Sequence, residues 1–239
     1  MRRERVGIWG ALTAAFFYPL GWLSGRERYE GLHNLPRTGG VLVVANHISH
    51  LDPLYTALAV HRAGRMPRFL AKHSLWRVPV FSTILRGTGQ IPVYRDTADA
   101  QQSLRAATAA LGDGKAVVIY PEGTITRDPD GWPMHARTGV ARLALSAEVP
   151  VVPTVHWGTR EVLDGYKKRY RPLPRTTITV RCGEPVDLSQ YRGRALDATL
   201  LREVTDLVMA RVRALLAEVR GEPAPGSSTS STSHAPVAS

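Results

Sequence analysis

A histidine and an aspartate stand five positions apart in the stretch Asn46-His47-Ile48-Ser49-His50-Leu51-Asp52. A neutral imidazole can take the proton of a hydroxyl, and a carboxylate beside it holds the tautomer and steadies the imidazolium that forms. On a regular helix five residues would turn the two side chains about 140° apart. The pair therefore meets only if His47 lies on the turn before a helix. The flanking residues predict that arrangement. Val41-Leu42-Val43-Val44-Ala45 reads as a buried strand, Asp52-Pro53 as an N-cap followed by a first-turn proline, and Leu54 to Val60 as the continuing helix. The same residues also fit a plain helix cap preceded by a loop histidine, and the pair alone leaves both readings open.

Three further boxes follow in order. The first is Gly89-Gln90-Ile91-Pro92-Val93-Tyr94-Arg95. The second is a strand pattern, Ala116 to Tyr120, that stops at Pro121-Glu122-Gly123-Thr124, and the third is Val149-Pro150-Val151-Val152-Pro153. With Asn-His-x4-Asp in front of them, these boxes resemble the glycerolipid acyltransferase family, in particular its bacterial 1-acyl-sn-glycerol-3-phosphate (lysophosphatidic acid) acyltransferases. The resemblance runs from residue 31 to residue 186.

The resemblance implies that His47 is the general base and Asp52 its orienting partner. Arg95 would hold the acceptor's phosphate, a task suited to a planar, permanently charged fork. Glu122, Gly123 and Thr124 would shape the acceptor site, with glycine allowing close backbone approach. Lys72, in Phe69-Leu70-Ala71-Lys72-His73, would meet phosphate or simply be exposed. The family often carries arginine directly after Pro-Glu-Gly-Thr. Here Ile125 and Thr126 precede Arg127, so either Arg127 reaches back or the phosphate is held differently.

The activity implied is transfer of an acyl chain from acyl-CoA or acyl carrier protein, as co-substrate, to the sn-2 hydroxyl of 1-acylglycerol 3-phosphate. The product would be phosphatidate, in phospholipid biosynthesis. Another lysophospholipid or a glycolipid is the alternative acceptor. A thioester is already activated, so no metal or other cofactor is expected.

Composition agrees with anionic partners. Lys and Arg number 31 against 20 Asp and Glu in 239 residues, a formal net charge of +11. From Pro53 to Arg95 there is no acid, yet Arg62, Arg65, Arg68, Lys72, Arg77, Arg86 and Arg95 all occur. Lys167, Lys168, Arg169, Arg171 and Arg175 form a second run. Such surfaces draw in phosphates or anionic headgroups. The expected partners are membrane lipids, a lysophospholipid acceptor and the acyl donor. A non-enzymatic basic membrane-surface protein would explain the charge but not the boxes. No nucleic-acid motif, serine-hydrolase elbow, phosphate loop or metal-ligand spacing is present.

The length suits one α/β domain with a sizeable core. Strands are predicted near 41–45, 68–71, 91–94, 116–120, 151–156 and 176–182, and helices at 53–63, 98–112, 137–147 and 195–219. The alternation predicts a mostly parallel central sheet flanked by helices. Ile178, Val180 and the lone Cys182 alternate onto one face and read as core. Residues 1–30 read as a membrane-anchoring segment, since Val6 to Gly25 carries no charge. Its length approaches a hydrocarbon core, about 30 Å, but Pro19 and three glycines weaken a straight span. An anchor dipping into or lying along the cytoplasmic face of the cell membrane is the expected arrangement. Residues 31–220 read as the acyltransferase domain and 221–239 as a disordered Ser/Thr/Pro-rich tail. Trp76, Val78, Val80, Phe81, Ile84 and Leu85 read as core or membrane contacts, with an acyl tunnel as the alternative. Trp132 and His135 stand in a loop that could gate the site.

Overall fold

In the computed structural model, residues 7–93, 100–167 and 169–225 are described. The sheet has seven strands: β1 (Arg26–Glu30), β2 (Val41–Ala45), β3 (Pro67–Lys72), β4 (Ile91–Val93), β5 (Ala116–Ile119), β6 (Val151–Trp157) and β9 (Thr177–Cys182). Their spatial order is β1-β9-β6-β2-β5-β3-β4. Every pairing is parallel except β6 with β9. A short hairpin, β7 (Leu163–Asp164) with β8 (Arg169–Tyr170), stands apart. The helices are α1 (Ile8–Ser24), α2 (Asp52–Arg62), α3 (Pro79–Gly87), α4 (Ala100–Gly112), α5 (Gly139–Ala147), α6 (Thr159–Val162) and α7 (Ala198–Arg220).

Central strands covered on both faces need apolar side chains at every position, and β2 and β5 are buried throughout. Alternate residues serve opposite layers. Leu42 and Val44 join the core made with α4, α5 and α7, whereas Val41 and Val43 face the layer that holds α2. The long helix α7 docks through Val204, Val208 and Val212, as its three- and four-residue spacing predicts. Cys182 is buried, and burial pushes its thiol up to about 11, which keeps it inert.

Two features escape a pattern reading. β1, Arg-Glu-Arg-Tyr-Glu, is charged and has no strand periodicity, yet it pairs with β9 along its whole length. It lies within residues 1–30, read from the sequence as the anchoring segment, but after the uncharged run that ends at Gly25. Arg65, counted with the surface cations, is buried and donates to the carbonyls of Pro36, Gly39 and Gly114 at 2.5–2.7 Å. It ties loops together rather than facing anions.

The apolar N-terminal stretch does form a helix, α1. Among the described residues no helix is long and apolar enough to cross a membrane. α1 packs on α2 and α3, and its Ile8, Leu12, Phe16, Trp22 and Leu23 side chains are exposed and apolar.

Candidate active site

β2 and β5 are parallel neighbours, and β2 also pairs with β6, so their carboxyl ends lie side by side. Ligand sites of α/β sheets form at such ends. β2 delivers Asn46 and His47, β5 delivers Tyr120 to Thr124, and β6 delivers His156.

Asn46 extends the pairing of β2 and β6 by one residue. Its amide oxygen accepts from the His156 N–H at 2.8 Å, and its amide nitrogen donates to the His156 carbonyl at 3.2 Å. The backbone is thereby released to turn, and His47 falls on that turn, ahead of α2. The imidazole Nδ1 lies 2.9 Å from Asp52 Oδ2. A carboxylate only accepts, so Nδ1 carries the hydrogen, and in the neutral ring Nε2 is the bare nitrogen.

Asp52 does not cap its own helix, as the sequence suggests; α2 begins at Asp52 and its carboxylate points backwards. Oδ2 accepts from the backbone N–H of Ile48 at 2.6 Å and of Ser49 at 2.8 Å, besides His47. Oδ1 accepts from Thr159 Oγ1 at 2.6 Å. Burial pushes this carboxyl up, but the hydrogen bond from His47 and the nearby imidazoles outweigh it and hold it below the ordinary aspartate value.

The His47 ring stacks on Tyr120, centroids 4.4 Å apart and planes 24° off parallel. Behind it, Thr56 Oγ1 donates to the Asp52 carbonyl at 2.9 Å. That spends its one hydrogen, so Tyr120 OH (2.8 Å) and His156 Nε2–H (2.7 Å) both donate to it. His156 is then the neutral tautomer with Nδ1 bare, and that atom is buried without a partner. Burial drives its pKa down, consistent with a neutral ring.

Glu122 is set differently from the substrate contact the family resemblance implies. Its carboxylate is buried behind the site, where Oε1 accepts from the His47 N–H and Oε2 from the Met134 N–H, each at 3.0 Å. It braces the backbone that carries the histidine. Burial pushes it up to about 7, against the pull of those two donors.

Opposite pH demands follow. A raised acid costs stability as pH rises from 4.5 through about 7, because only the folded state keeps the proton. A depressed histidine costs stability as pH falls below 6.5, because only the unfolded state gains the proton. In wild type the two slopes oppose each other between these values. Glu122→Gln removes the first slope, roughly 3 kcal/mol for the 4.5-to-7 displacement. It also turns an amide NH2 against one of the two backbone N–H groups, costing about 1–3 kcal/mol. Urea unfolding from pH 5 to pH 8 should show stability falling with acid below pH 6.5 in the variant and a flatter profile there in wild type. Parallel profiles would refute the assignment.

A cavity of about 1470 Å³ opens in front of His47. Its far walls are apolar, from α1 (Leu12, Phe16), α2 (Leu54, Leu58) and α3 (Phe81, Ile84). Val80 and Leu85 also line it, while Trp76 and Val78 do not. α1 and α3 close on each other where the Trp9 ring meets Gly87; a Cβ there would lie 2.5 Å from the ring. Tyr120, Gly123, Thr124, Lys72 and Arg137 line it too, with Tyr120 stacked on His47. Gly123 has φ +72°, and an added Cβ would meet only ordinary contacts, so its backbone conformation is what asks for glycine. Among the described residues lining the cavity, Lys72 and Arg137 are the permanent cations and there is no carboxylate.

Arg127 is exposed and outside this lining. Arg137, which no local pattern marks, comes to Gly123 because its N–H donates to the Pro121 carbonyl at 2.9 Å. Arg95 lies outside the described residues. Trp132 is not a gate: it is buried, with the Arg220 guanidinium 4.2 Å from its ring centre. His135 is held by Arg202 at 3.1 Å. Among the described residues no group of three or more His, Cys, Asp or Glu is placed to hold a metal ion.

The chain is similar to known proteins. The chain is 30% identical over 146 residues to a 1-acyl-sn-glycerol-3-phosphate acyltransferase of Borreliella burgdorferi, covering 58% of this chain and 54% of that one. It is 29% identical over 158 residues to a chloroplastic 1-acyl-sn-glycerol-3-phosphate acyltransferase of Brassica napus, covering 65% and 42%. The chain thus spans about half the length of the curated relatives it matches. The crystal structure of the 1-acyl-sn-glycerophosphate acyltransferase PlsC from Thermotoga maritima superposes with a TM-score of 0.62 at 26% identity, over 87% of this chain and 79% of that one. A family model, Acyltransferase, matches residues 26–157, more than half of the chain. That span starts at β1 and ends with β6, taking in His47, Asp52, Glu122 and His156, and with it the chain belongs to the Acyltransferase family.

Proposed function

We propose that the protein transfers an acyl chain from acyl-CoA, or acyl carrier protein, to the free hydroxyl of a lysophospholipid, with 1-acylglycerol 3-phosphate as the leading acceptor and phosphatidate as the product. The observation that carries this reading is the bare Nε2 of an Asp52-oriented His47 at the polar end of an apolar cavity. The apolar walls suit acyl chains. The Lys72 and Arg137 cations, with no carboxylate among the described lining, suit a phosphate.

In the reaction, His47 Nε2 takes the acceptor's hydroxyl proton as its oxygen attacks the thioester carbonyl carbon. The tetrahedral intermediate collapses with cleavage of the C–S bond, and the departing thiolate takes the proton from the imidazolium. Asp52 carries negative charge throughout and steadies the imidazolium between these steps. No metal and no covalent enzyme intermediate is needed, since the thioester arrives activated. The exposed apolar face of α1, with Phe16 at 65% and Trp22 at 62% exposure, supports a helix lying along the cytoplasmic leaflet of the cell membrane.

The test is thiol release by the purified protein from acyl-CoA, with and without lysophosphatidate, for wild type and His47→Ala. Release that requires both acceptor and His47 supports the reading. Release without acceptor points to a thioesterase, and no release with any donor and lysolipid leaves the binding-protein reading. Arg137→Gln should raise KM for lysophosphatidate about tenfold or more, the scale of one charge-assisted hydrogen bond, and leave KM for acyl-CoA unchanged. An equal rise for both substrates would remove Arg137 from the acceptor site.

A further inference from the structure

We propose that the β7–β8 hairpin and the segment after it, through Arg175, form a second membrane contact that reads the negative charge of the bilayer. The proposal rests on the membrane-surface part of the function above and adds an element to it.

From Gly165 to Gly183 the chain contains no acid. Lys167, Arg169 and Arg171 are exposed, and Tyr170 (60%) and Leu173 (73%) stand exposed among them. The hairpin's own acid, Asp164, is turned inward, accepting from the N–H groups of Tyr166 (3.1 Å) and Lys167 (3.0 Å). The outer surface is therefore positive, with an aromatic and an aliphatic side chain set between the cations. Tyrosine and arginine flanking apolar groups is the composition that settles at a headgroup boundary.

Two contacts place this surface. Arg175 donates to the carbonyls of Trp22 and of Gly25, the latter at 2.7 Å, and its guanidinium lies 4.9 Å from the Trp22 ring centre. The segment is thus bound to the end of α1, where Trp22 and Leu23 are exposed. At its other end, Gly165 and Tyr166 line the catalytic cavity, and Tyr166 OH donates to the Ile125 carbonyl at 2.8 Å. A bilayer touching Trp22 and Leu173 would lie against the element that also borders the cavity. Cations near such a surface contribute about fivefold each to partitioning. The matching partner is an anionic lipid surface, not a lone phosphate, because the exposed groups combine dispersed charge with apolar side chains.

Co-sedimentation with phosphatidylcholine vesicles, with and without phosphatidylglycerol, tests this directly. The double variant Arg169→Gln/Arg171→Gln should bind the phosphatidylglycerol vesicles roughly thirtyfold more weakly and the neutral vesicles nearly as before. Arg169→Lys/Arg171→Lys should retain binding, because a surface field counts charge rather than fork geometry. Since α1 also presents exposed apolar side chains to lipid, Leu173→Cys labelled with an environment-sensitive dye gives a local readout; Cys182 is buried and stays unlabelled. The dye should shift to the blue on phosphatidylglycerol vesicles. Unchanged binding by the glutamine pair together with a water-exposed dye on sedimented protein would overturn the proposal. Displacement from vesicles by inorganic phosphate or coenzyme A would also overturn it, in favour of a small-anion site. Vesicle binding needs no turnover, so a wild type that releases no thiol would sink the acyl-transfer reading while this one stood or fell by itself.

Discussion

His47→Ala lowers kcat for acyl transfer by about 10²–10⁴-fold, the contribution of a positioned general base, and leaves the protein folded. The imidazole is partly buried, and among the described residues it bonds to Asp52 and stacks on Tyr120. Removing it leaves Asp52 still satisfied by two backbone N–H groups and Thr159. The brace from Glu122 acts on the His47 backbone and survives the substitution. Binding of the acceptor should therefore change little, and the loss should fall on kcat rather than KM. A variant that retains wild-type turnover while remaining folded would show that His47 is not the base. Thermal unfolding run beside the kinetics separates a chemical defect from a folding one.

Asp52 gives the second large effect, and here the choice of replacement decides what is measured. In Asp52→Asn the side chain has one acceptor oxygen and one donor nitrogen. Oδ2 faces three donors and Oδ1 faces only the Thr159 hydroxyl, which can itself accept. The amide therefore settles with its oxygen on the turn and its nitrogen on Thr159. The His47 tautomer survives, and what disappears is the negative charge facing the imidazolium. The expected result is a folded protein with kcat reduced about 10²-fold or more. Asp52→Ala instead strands the buried N–H groups of Ile48 and Ser49, at about 1–3 kcal/mol each. That is a large share of a typical domain's stability, about 5–15 kcal/mol, so this variant should unfold or melt far below wild type. Acid gives a further check. A depressed carboxyl contributes stability above its unfolded value of 3.8 and loses it as pH falls through the folded value. The asparagine variant should lack that acid-side loss. Equal stability of the alanine and asparagine variants would contradict the turn geometry.

The experiments also separate what was legible in the chain from what was not. His47 and Asp52 were legible because everything that joins them is local: a strand, a turn and a helix start within a dozen residues. The central strands were legible because burial on both faces demands unbroken apolar runs. β1 was not, since an edge strand with one neighbour tolerates charge on its open side and needs no such run. Glu122 stood in a recognisable box, but its direction was invisible; only the fold shows that its carboxylate braces the His47 and Met134 amides instead of lining the cavity.

The chain's local order by itself determined the alternation of strands and helices, the His47–Asp52 pair and the apolar N-terminal helix. Tertiary structure alone decided the rest of the site. Thr159 reaches Asp52 across 107 positions, His156 reaches Thr56 across 100, and Tyr120 reaches Thr56 across 64. Arg137 takes the place beside Gly123 that Arg127, nearer in sequence, does not. The physical reason is the same in each case. Periodicity records which face of an element is buried, whereas a hydrogen bond between distant side chains depends on how parallel strands bring their carboxyl ends together, and no spacing along the chain encodes that.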